Sequence, residues 1–133
     1  MIETEPGMVS DTGRVVIIVD AEAGNKGLSD FNGPVFVHTG LITDSSEYPN
    51  EWRYVKFKWG SMEERAGAIE IGKNKWAYTI PDIRSFFGVS KDEKILKLAF
   101  LFRERNCIDT FCSVLWNVDK SDLSIDIAGR QML

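Results

Sequence analysis

Residues 95–102, with the sequence ILKLAFLF, form the segment that decides the fold. The segment is long and largely apolar, so it predicts a mostly buried β-strand. Side chains alternate between the two faces of a strand, so one face of this segment is expected to line a core, opposite Lys97 and Arg103. The residues predicted for that core face are Leu96, Leu98, Phe100 and Phe102.

Short apolar runs lie on both sides of this strand, separated by polar segments rich in Gly, Asn and Asp. Such a pattern is typical of strands joined by turns. The predicted strands are 14–20 (RVVIIVD), 35–40 (VFVHTG), 52–59 (WRYVKFKW), 68–71 and 75–80 (KWAYTI) as a hairpin, 111–116, and 123–127. The segment 81–88 (PDIRSFFG) predicts one helical turn that Pro81 and Asp82 open and that ends at Gly88.

The number and spacing of these segments indicate the fold class. About seven or eight short strands, with turn signals roughly every 8–12 residues, are typical of a β-sandwich. Strands do not alternate with long helices, which disfavours a parallel α/β sheet. The sequence therefore predicts an all-β, immunoglobulin-like antiparallel sandwich with one short helical turn. Residues 14–133 are expected to form a single domain, after a flexible lead-in over residues 1–13.

The bulk composition limits the classes of partner. The chain has 133 residues, of which 44% are hydrophobic and 27% charged, and its net charge is −4. These values suit one globular domain, and the acidic balance argues against a nucleic-acid partner. No apolar run approaches the roughly 18 residues of a membrane span. The polar, acidic start does not resemble a signal peptide, and the chain could be cut from a longer secreted protein.

Strand parity separates the aromatic residues into two groups. In residues 52–59, Trp52 and Tyr54 share a face with two lysines, so this face is expected to be solvated. In residues 75–80, Trp76 and Tyr78 share a face with Ile80 and are predicted to lie in the core. The solvated pair either covers a loop or neighbouring domain, or stacks on a ligand.

Catalytic motifs are missing from the sequence. His38 is the only histidine, so a site with several histidine ligands is excluded. There is no nucleophile elbow and no phosphate-binding glycine loop, and no pair of carboxylates stands out as an acid–base pair. The chain is therefore not expected to be an enzyme, and neither a cofactor nor a metal is expected at the site.

Two features leave alternatives open. The loop that starts at Asp20 departs from the calcium-binding EF-hand pattern, since Asn25 stands where that pattern needs Gly and Phe31 where it needs Glu. A structural Ca²⁺ in this loop remains the alternative to a solvated turn. Cys107 and Cys112 are predicted to be reduced thiols, with a local disulfide bridge as the alternative.

Two longer segments resemble a known type of module. They are residues 24–60, GNKGLSDFNGPVFVHTGLITDSSEYPNEWRYVKFKWG, and residues 76–103, WAYTIPDIRSFFGVSKDEKILKLAFLFR. Both resemble the N-terminal β-sandwich modules found beside α-amylase-type catalytic domains in surface and secreted proteins of gut Bacteroidetes. More distantly, the chain is similar to starch-binding carbohydrate-binding modules of families twenty-five and twenty-six.

The resemblance implies a non-catalytic module that binds an α-glucan, such as starch or a maltooligosaccharide. The distant relatives hold the sugar on a platform of one His and two Trp residues. His38 matches the first of these positions and Trp52 the second. The loop after Phe102 has no Trp, and Phe111 is the candidate substitute. The resemblance also implies an extracellular or cell-surface location, with a catalytic domain linked in a longer parent protein.

The predicted site combines the platform positions with their polar neighbours. Its members are His38, Asn50, Glu51, Trp52, Tyr54 and Phe111. An indole can stack on the apolar face of a pyranose ring while polar side chains bond its hydroxyl groups.

Two other functions fit the same aromatic residues. The chain could be a structural spacer in a glycoside hydrolase, or a protein-interaction domain of a surface complex.

Overall fold

The computed structural model of the protein describes residues 2–31, 34–57, 64–104, 114–115 and 122–127. Two antiparallel sheets face each other, which confirms the predicted all-β sandwich. One sheet has the strand order β1-β2-β6-β5. Its strands are β1 (Ile2–Glu5), β2 (Val15–Asp20), β5 (Ile69–Gly72) and β6 (Lys75–Ile80).

The second sheet has five strands in the part of the chain that the structure describes, and it carries the candidate site. Its strands are β3 (Val35–Thr43), β4 (Arg53–Lys56), β7 (Ile95–Glu104), β8 (Val114–Leu115) and β9 (Leu123–Asp126). The long strand β7 pairs with β3 along one edge, and with both β8 and β9 along the other. The described residues thus form nine strands, slightly more than the seven or eight predicted.

The core lies between the two sheets and follows from strand alternation. On β2 the buried side chains alternate with half-exposed ones, and on β6 Trp76 and Tyr78 are each 5% exposed. The predicted core positions of these two aromatics are therefore confirmed. On β7, Leu98, Phe100 and Phe102 are fully buried in the same core. Each such side chain stabilises the fold by roughly 1.5–3 kcal/mol through burial.

Leu96 was predicted to belong to the core, and this prediction is wrong. The pairing of β3 with β7 shifts by one residue, because Ile42 pairs with Lys97 while Thr43 pairs with Ile95. The shift leaves Leu96 as the extra residue of a β-bulge, and its side chain is 37% exposed. Ile95 takes the buried position instead. A bulge changes the parity of a strand, and the apolar pattern of the segment does not reveal it.

The segment predicted as a flexible lead-in, residues 1–13, contains strand β1 and contacts with the rest of the sandwich. Strand β1 pairs with β2 in a continuous register from Ile2–Val19 to Glu5–Val16. Further along, Asp11 is buried and accepts a 2.8 Å hydrogen bond from Arg84 Nε. The segment IETE has too little apolar character to signal a strand by itself. It is a strand because β2 offers it an edge with unpaired backbone groups.

The predicted helical turn is confirmed as α1 (Ile83–Phe87). The Asp82 side chain caps its first turn by accepting a hydrogen bond from Ser85 N at 3.2 Å. Gly88 ends it in the left-handed conformation with φ 70°, which glycine adopts without steric cost. The turn between Glu64 and Ala66 is a short 3₁₀ helix.

Candidate functional site

The outer face of the five-stranded sheet carries an open cleft of about 340 Å³. We call it the Trp52 cleft, and its lining residues are His38, Asn50, Trp52, Leu101 and Asp122. His38 on β3 and Leu101 on β7 are cross-strand partners whose side chains point away from the main core. The structure therefore brings three of the predicted site residues together, namely His38, Asn50 and Trp52.

Trp52 is fixed in place by contacts on several sides. Its ring stacks against His38, with 5.4 Å between ring centroids and 29° between ring planes. Its Nε1 donates a 3.0 Å hydrogen bond to the Asp122 carboxylate. It also packs on a small apolar cluster formed by Leu101 and Val114. These contacts hold the indole in one orientation before any ligand arrives, which lowers the entropy cost of binding.

Gly40 makes this packing feasible. A Cβ atom at this position would lie 3.0 Å from Trp52 Cε3 and 3.2 Å from its Cβ. Both distances are tighter than ordinary van der Waals contact, so a larger residue would displace the indole. The glycine therefore lets Trp52 lie directly on the sheet next to His38.

His38 presents a neutral imidazole to the cleft. Its Nδ1 lies 2.9 Å from the carbonyl oxygen of Phe57, which can only accept, so Nδ1 carries the proton. Burial lowers the pKa of His38, the charge of Arg103 lowers it further, and the Phe57 hydrogen bond and Asp122 oppose this only in part. The pKa lies below its ordinary value, so Nε2 is an acceptor nitrogen at neutral pH.

Asp122 and Asn50 supply the polar groups of the Trp52 cleft. Asp122 is half-buried, and its carboxylate accepts the hydrogen bond from the Trp52 indole N–H. Asn50 is exposed at the rim and carries both a donor and an acceptor. An aromatic floor with an imidazole, an amide and a carboxylate around it suits a ligand that is apolar on one face and hydroxyl-rich at its edge. Sequence reasoning missed Asp122, which lies 70 positions from Trp52.

Tyr54 is not part of the cleft, so the predicted pairing with Trp52 on one solvated face is wrong. Tyr54 has φ 55°, and the register of β3 with β4 shifts between Thr39 and Leu41. These irregularities break the strand parity. As a result, Tyr54 packs against the main core, whereas Trp52 packs on the outer face.

The hydroxyl of Tyr54 instead joins a polar network centred on Glu93. It donates to Glu93 Oε1 at 2.5 Å, and Arg53 Nε donates to Glu93 Oε2 at 2.8 Å. The Thr43 hydroxyl donates to the same carboxylate. Burial raises the pKa of Glu93, but the hydrogen bonds from Thr43, Tyr54 and Arg53 outweigh this effect and the net pKa is lowered. The network fixes the ends of β3, β4 and β7 relative to one another.

Two other predicted site residues are Glu51, which the structure places outside the cleft, and Phe111, which it does not describe. Glu51 does not line the Trp52 cleft, and its carboxylate accepts a 2.9 Å hydrogen bond from the backbone N–H of Glu47. It thereby closes the loop before Trp52. Phe111 lies outside the described residues, as do Cys107 and Cys112, so their predicted roles stay predictions.

The loop in which a structural Ca²⁺ was the alternative is held together by hydrogen bonds of the Asn74 side-chain amide. Asn74 donates to Glu22 Oε1 at 3.0 Å and to Asp30 Oδ1 at 3.3 Å. Its own Oδ1 accepts a 2.6 Å bond from the backbone N–H of Asp30. In the parts of the chain that the structure describes, no group of three or more His, Cys, Asp or Glu side chains is arranged to hold a metal ion.

Comparisons with known proteins add no family to this picture. No protein-family model matches the chain, and neither does any curated protein. Within the described ranges, no helix has the length and apolar character needed to cross a membrane.

Proposed function

We propose that the chain is a non-catalytic carbohydrate-binding module that recognises an α-glucan through ring stacking on Trp52. The observation that carries the proposal is the stacked His38–Trp52 pair in an open cleft whose rim bears Asn50 and Asp122. The resemblance of residues 24–60 to modules beside α-amylase-type domains supports the choice of ligand. It also supports an extracellular or cell-surface parent protein with a linked catalytic domain.

The physical basis of such binding is the two-sided character of a sugar ring. The C–H face of a pyranose is apolar, and covering apolar area against an indole contributes roughly 25 cal/mol per Å². Hydroxyl groups at the ring edge would exchange hydrogen bonds with the polar side chains around the indole, which are those of His38, Asn50 and Asp122. Because the cleft is open to solvent, we expect Kd values in the micromolar to millimolar range, or about −4 to −8 kcal/mol.

The test is a calorimetric titration of maltoheptaose into the wild-type chain and into Trp52→Ala. We expect at least tenfold weaker binding by the variant, because the stacking surface is lost. Trp52→Phe keeps a ring on the sheet and loses only part of the area, so we expect an intermediate affinity. Ile71→Ser changes an exposed side chain on the other sheet and serves as the matched control. Absence of wild-type binding, or equal binding by Trp52→Ala, would contradict the proposal.

A second candidate function is a spacer or interaction domain within a larger protein. The observation that favours it is the edge strand β5, where Ile69 and Ile71 are 69% and 52% exposed. Exposed apolar side chains on an unpaired edge can be covered by a neighbouring domain. This function predicts no binding of any α-glucan. It also predicts that Ile69→Ser with Ile71→Ser weakens attachment to the rest of the parent protein, while Trp52→Ala does not.

A further inference from the structure

A second concave surface lies beside the Trp52 cleft and is not explained by the site described so far. It is a groove of about 460 Å³, which we call the Tyr48 groove. Its apolar lining includes Ile42, Tyr48, Pro49 and Leu96, and Lys97 lies at its edge. Most of its exposed lining surface is apolar, and Thr43, Asp44, Ser46 and Glu47 add polar groups, which is again a mixture that suits a hydroxyl-rich ring.

The register of the sheet places the Tyr48 groove in line with the Trp52 cleft. His38, Gly40 and Ile42 occupy alternate positions on β3, so all three face outward from the main core. His38 lines the cleft and Ile42 lines the groove, while Trp52 lies over Gly40 between them. Four residues of strand span roughly 13 Å. That distance exceeds a single hexose ring, so one ligand could reach both surfaces only if it were a chain of several sugar units.

The loop that carries Tyr48 is ordered by its own hydrogen bonds. The Ser46 hydroxyl donates to the Glu51 carbonyl at 2.9 Å and accepts from Thr43 N at 3.1 Å. The backbone N–H of Glu51 donates to the Tyr48 carbonyl at 3.1 Å. The loop is thus fixed at its base, whereas the Tyr48 side chain is 55% exposed. An exposed ring on an ordered loop is available for stacking at low entropic cost.

We propose that the Tyr48 groove is a second sugar subsite, in which Tyr48 stacks on units of the same glucan chain that is bound on Trp52. This proposal depends on the proposed function, because its occupant is the continuation of that ligand. Tyr48 and Pro49 line the groove whereas Asn50 and Trp52 line the cleft, so the segment 48–52 runs from one subsite to the other. Binding at one subsite would bring the next sugar units close to the other, so that affinity rises with chain length.

The experiment measures Kd for maltose, maltotetraose and maltoheptaose with the wild type, Tyr48→Ala and Tyr48→Phe. For the wild type we expect maltoheptaose to bind at least tenfold more tightly than maltose. For Tyr48→Ala we expect the affinity for maltose to be unchanged. The gain with chain length, which is the ratio of the affinity for maltoheptaose to the affinity for maltose, should fall below about threefold. Tyr48→Phe keeps the ring, so it should retain most of the gain. Since Tyr48 is exposed, the alanine variant should fold normally, which circular dichroism would check.

The outcomes separate this proposal from the proposed function. If the wild type binds maltose and Tyr48→Ala keeps the full gain with chain length, the second subsite is refuted and the Trp52 cleft stands. If Tyr48→Ala weakens maltose and maltoheptaose by the same factor, Tyr48 belongs to a single site and the proposal is also refuted. If the wild type binds no maltooligosaccharide of any length, the proposed function fails and this inference fails with it.

Discussion

Replacing Glu93 with Gln tests the polar network that fixes β3, β4 and β7. The Glu93 side chain is 8% exposed and accepts hydrogen bonds from Tyr54 and Thr43. Hydrogen bonds to a charged group contribute about 1.5–3 kcal/mol each, and part of that gain offsets the cost of burying the charge. The Arg53 side chain is 38% exposed and can instead be hydrated, so we assign none of the stabilisation to its hydrogen bond with Glu93. We therefore expect Glu93→Gln to lower the free energy of unfolding by about 2–3 kcal/mol at pH 7.

The pH dependence gives this prediction a second readout. The folded-state pKa of Glu93 lies below its unfolded value because of the hydrogen bonds from Thr43, Tyr54 and Arg53, despite the opposing effect of burial. Its stabilising contribution is therefore present above the unfolded pKa of about 4.3 and is lost as the pH falls through the folded pKa. The difference between wild type and Glu93→Gln should be constant from about pH 6 to 8. It should shrink at lower pH, where the wild-type carboxyl becomes protonated.

Urea denaturation followed by tryptophan fluorescence at several pH values would measure this difference. Glu70→Gln is the matched control, because Glu70 is exposed on the edge strand β5 and should shift stability by less than about 0.5 kcal/mol. A loss below about 0.5 kcal/mol for Glu93→Gln at pH 7 would refute the reasoning. A difference that stays the same down to pH 3 would refute it as well, because the charge of the carboxylate would then have no role.

Three further substitutions test close packing at Gly27 and Gly40 and backbone strain at Asn74. At Gly27 a Cβ atom would lie 1.8 Å from a backbone carbonyl oxygen of β8, so Gly27→Ala should cost at least about 3 kcal/mol in thermal unfolding. Gly13→Ala, whose Cβ would meet none of the described residues within 4 Å, should cost little, and equal effects would contradict the prediction. Gly40→Ala should displace Trp52 and weaken maltoheptaose binding about tenfold in calorimetry, and unchanged binding would argue against stacking there. Asn74 has φ 61°, so Asn74→Ala should be less stable in urea than Asn74→Gly by about 1 kcal/mol, and the reverse order would be evidence against strain.

Local patterns predicted the parts of the fold that depend on local interactions. The ends of α1 followed from Asp82 and Gly88, because a capping side chain and a residue with positive φ act within one turn. The core positions of Trp76 and Tyr78 followed from alternation along an uninterrupted strand. These features need no information about distant parts of the chain, which explains why the sequence sufficed.

The errors have a common physical cause, which is interaction between distant segments. Leu96 leaves the core because of a bulge against β3, and Tyr54 turns inward where its backbone adopts positive φ. Asp122 reaches the Trp52 indole only through the pairing of β9 with β7. The Glu93 network likewise joins residues about 40 to 50 positions apart, and no spacing pattern in the sequence predicts it.

The two aromatic rings of the proposed binding surface differ in how their substitution should be interpreted. Trp52 packs on Leu101 and Val114, which are 6% and 4% exposed, so Trp52→Ala would uncover apolar surface as well as remove a stacking ring. A loss of glycan affinity in that variant therefore combines a structural effect with a binding effect. Substitution of Tyr48 should have no such structural effect, since Tyr48 is 55% exposed. A selective loss of long-chain affinity in Tyr48→Ala, with unchanged unfolding free energy, would thus be the cleaner evidence that this face of the sheet binds an extended glucan.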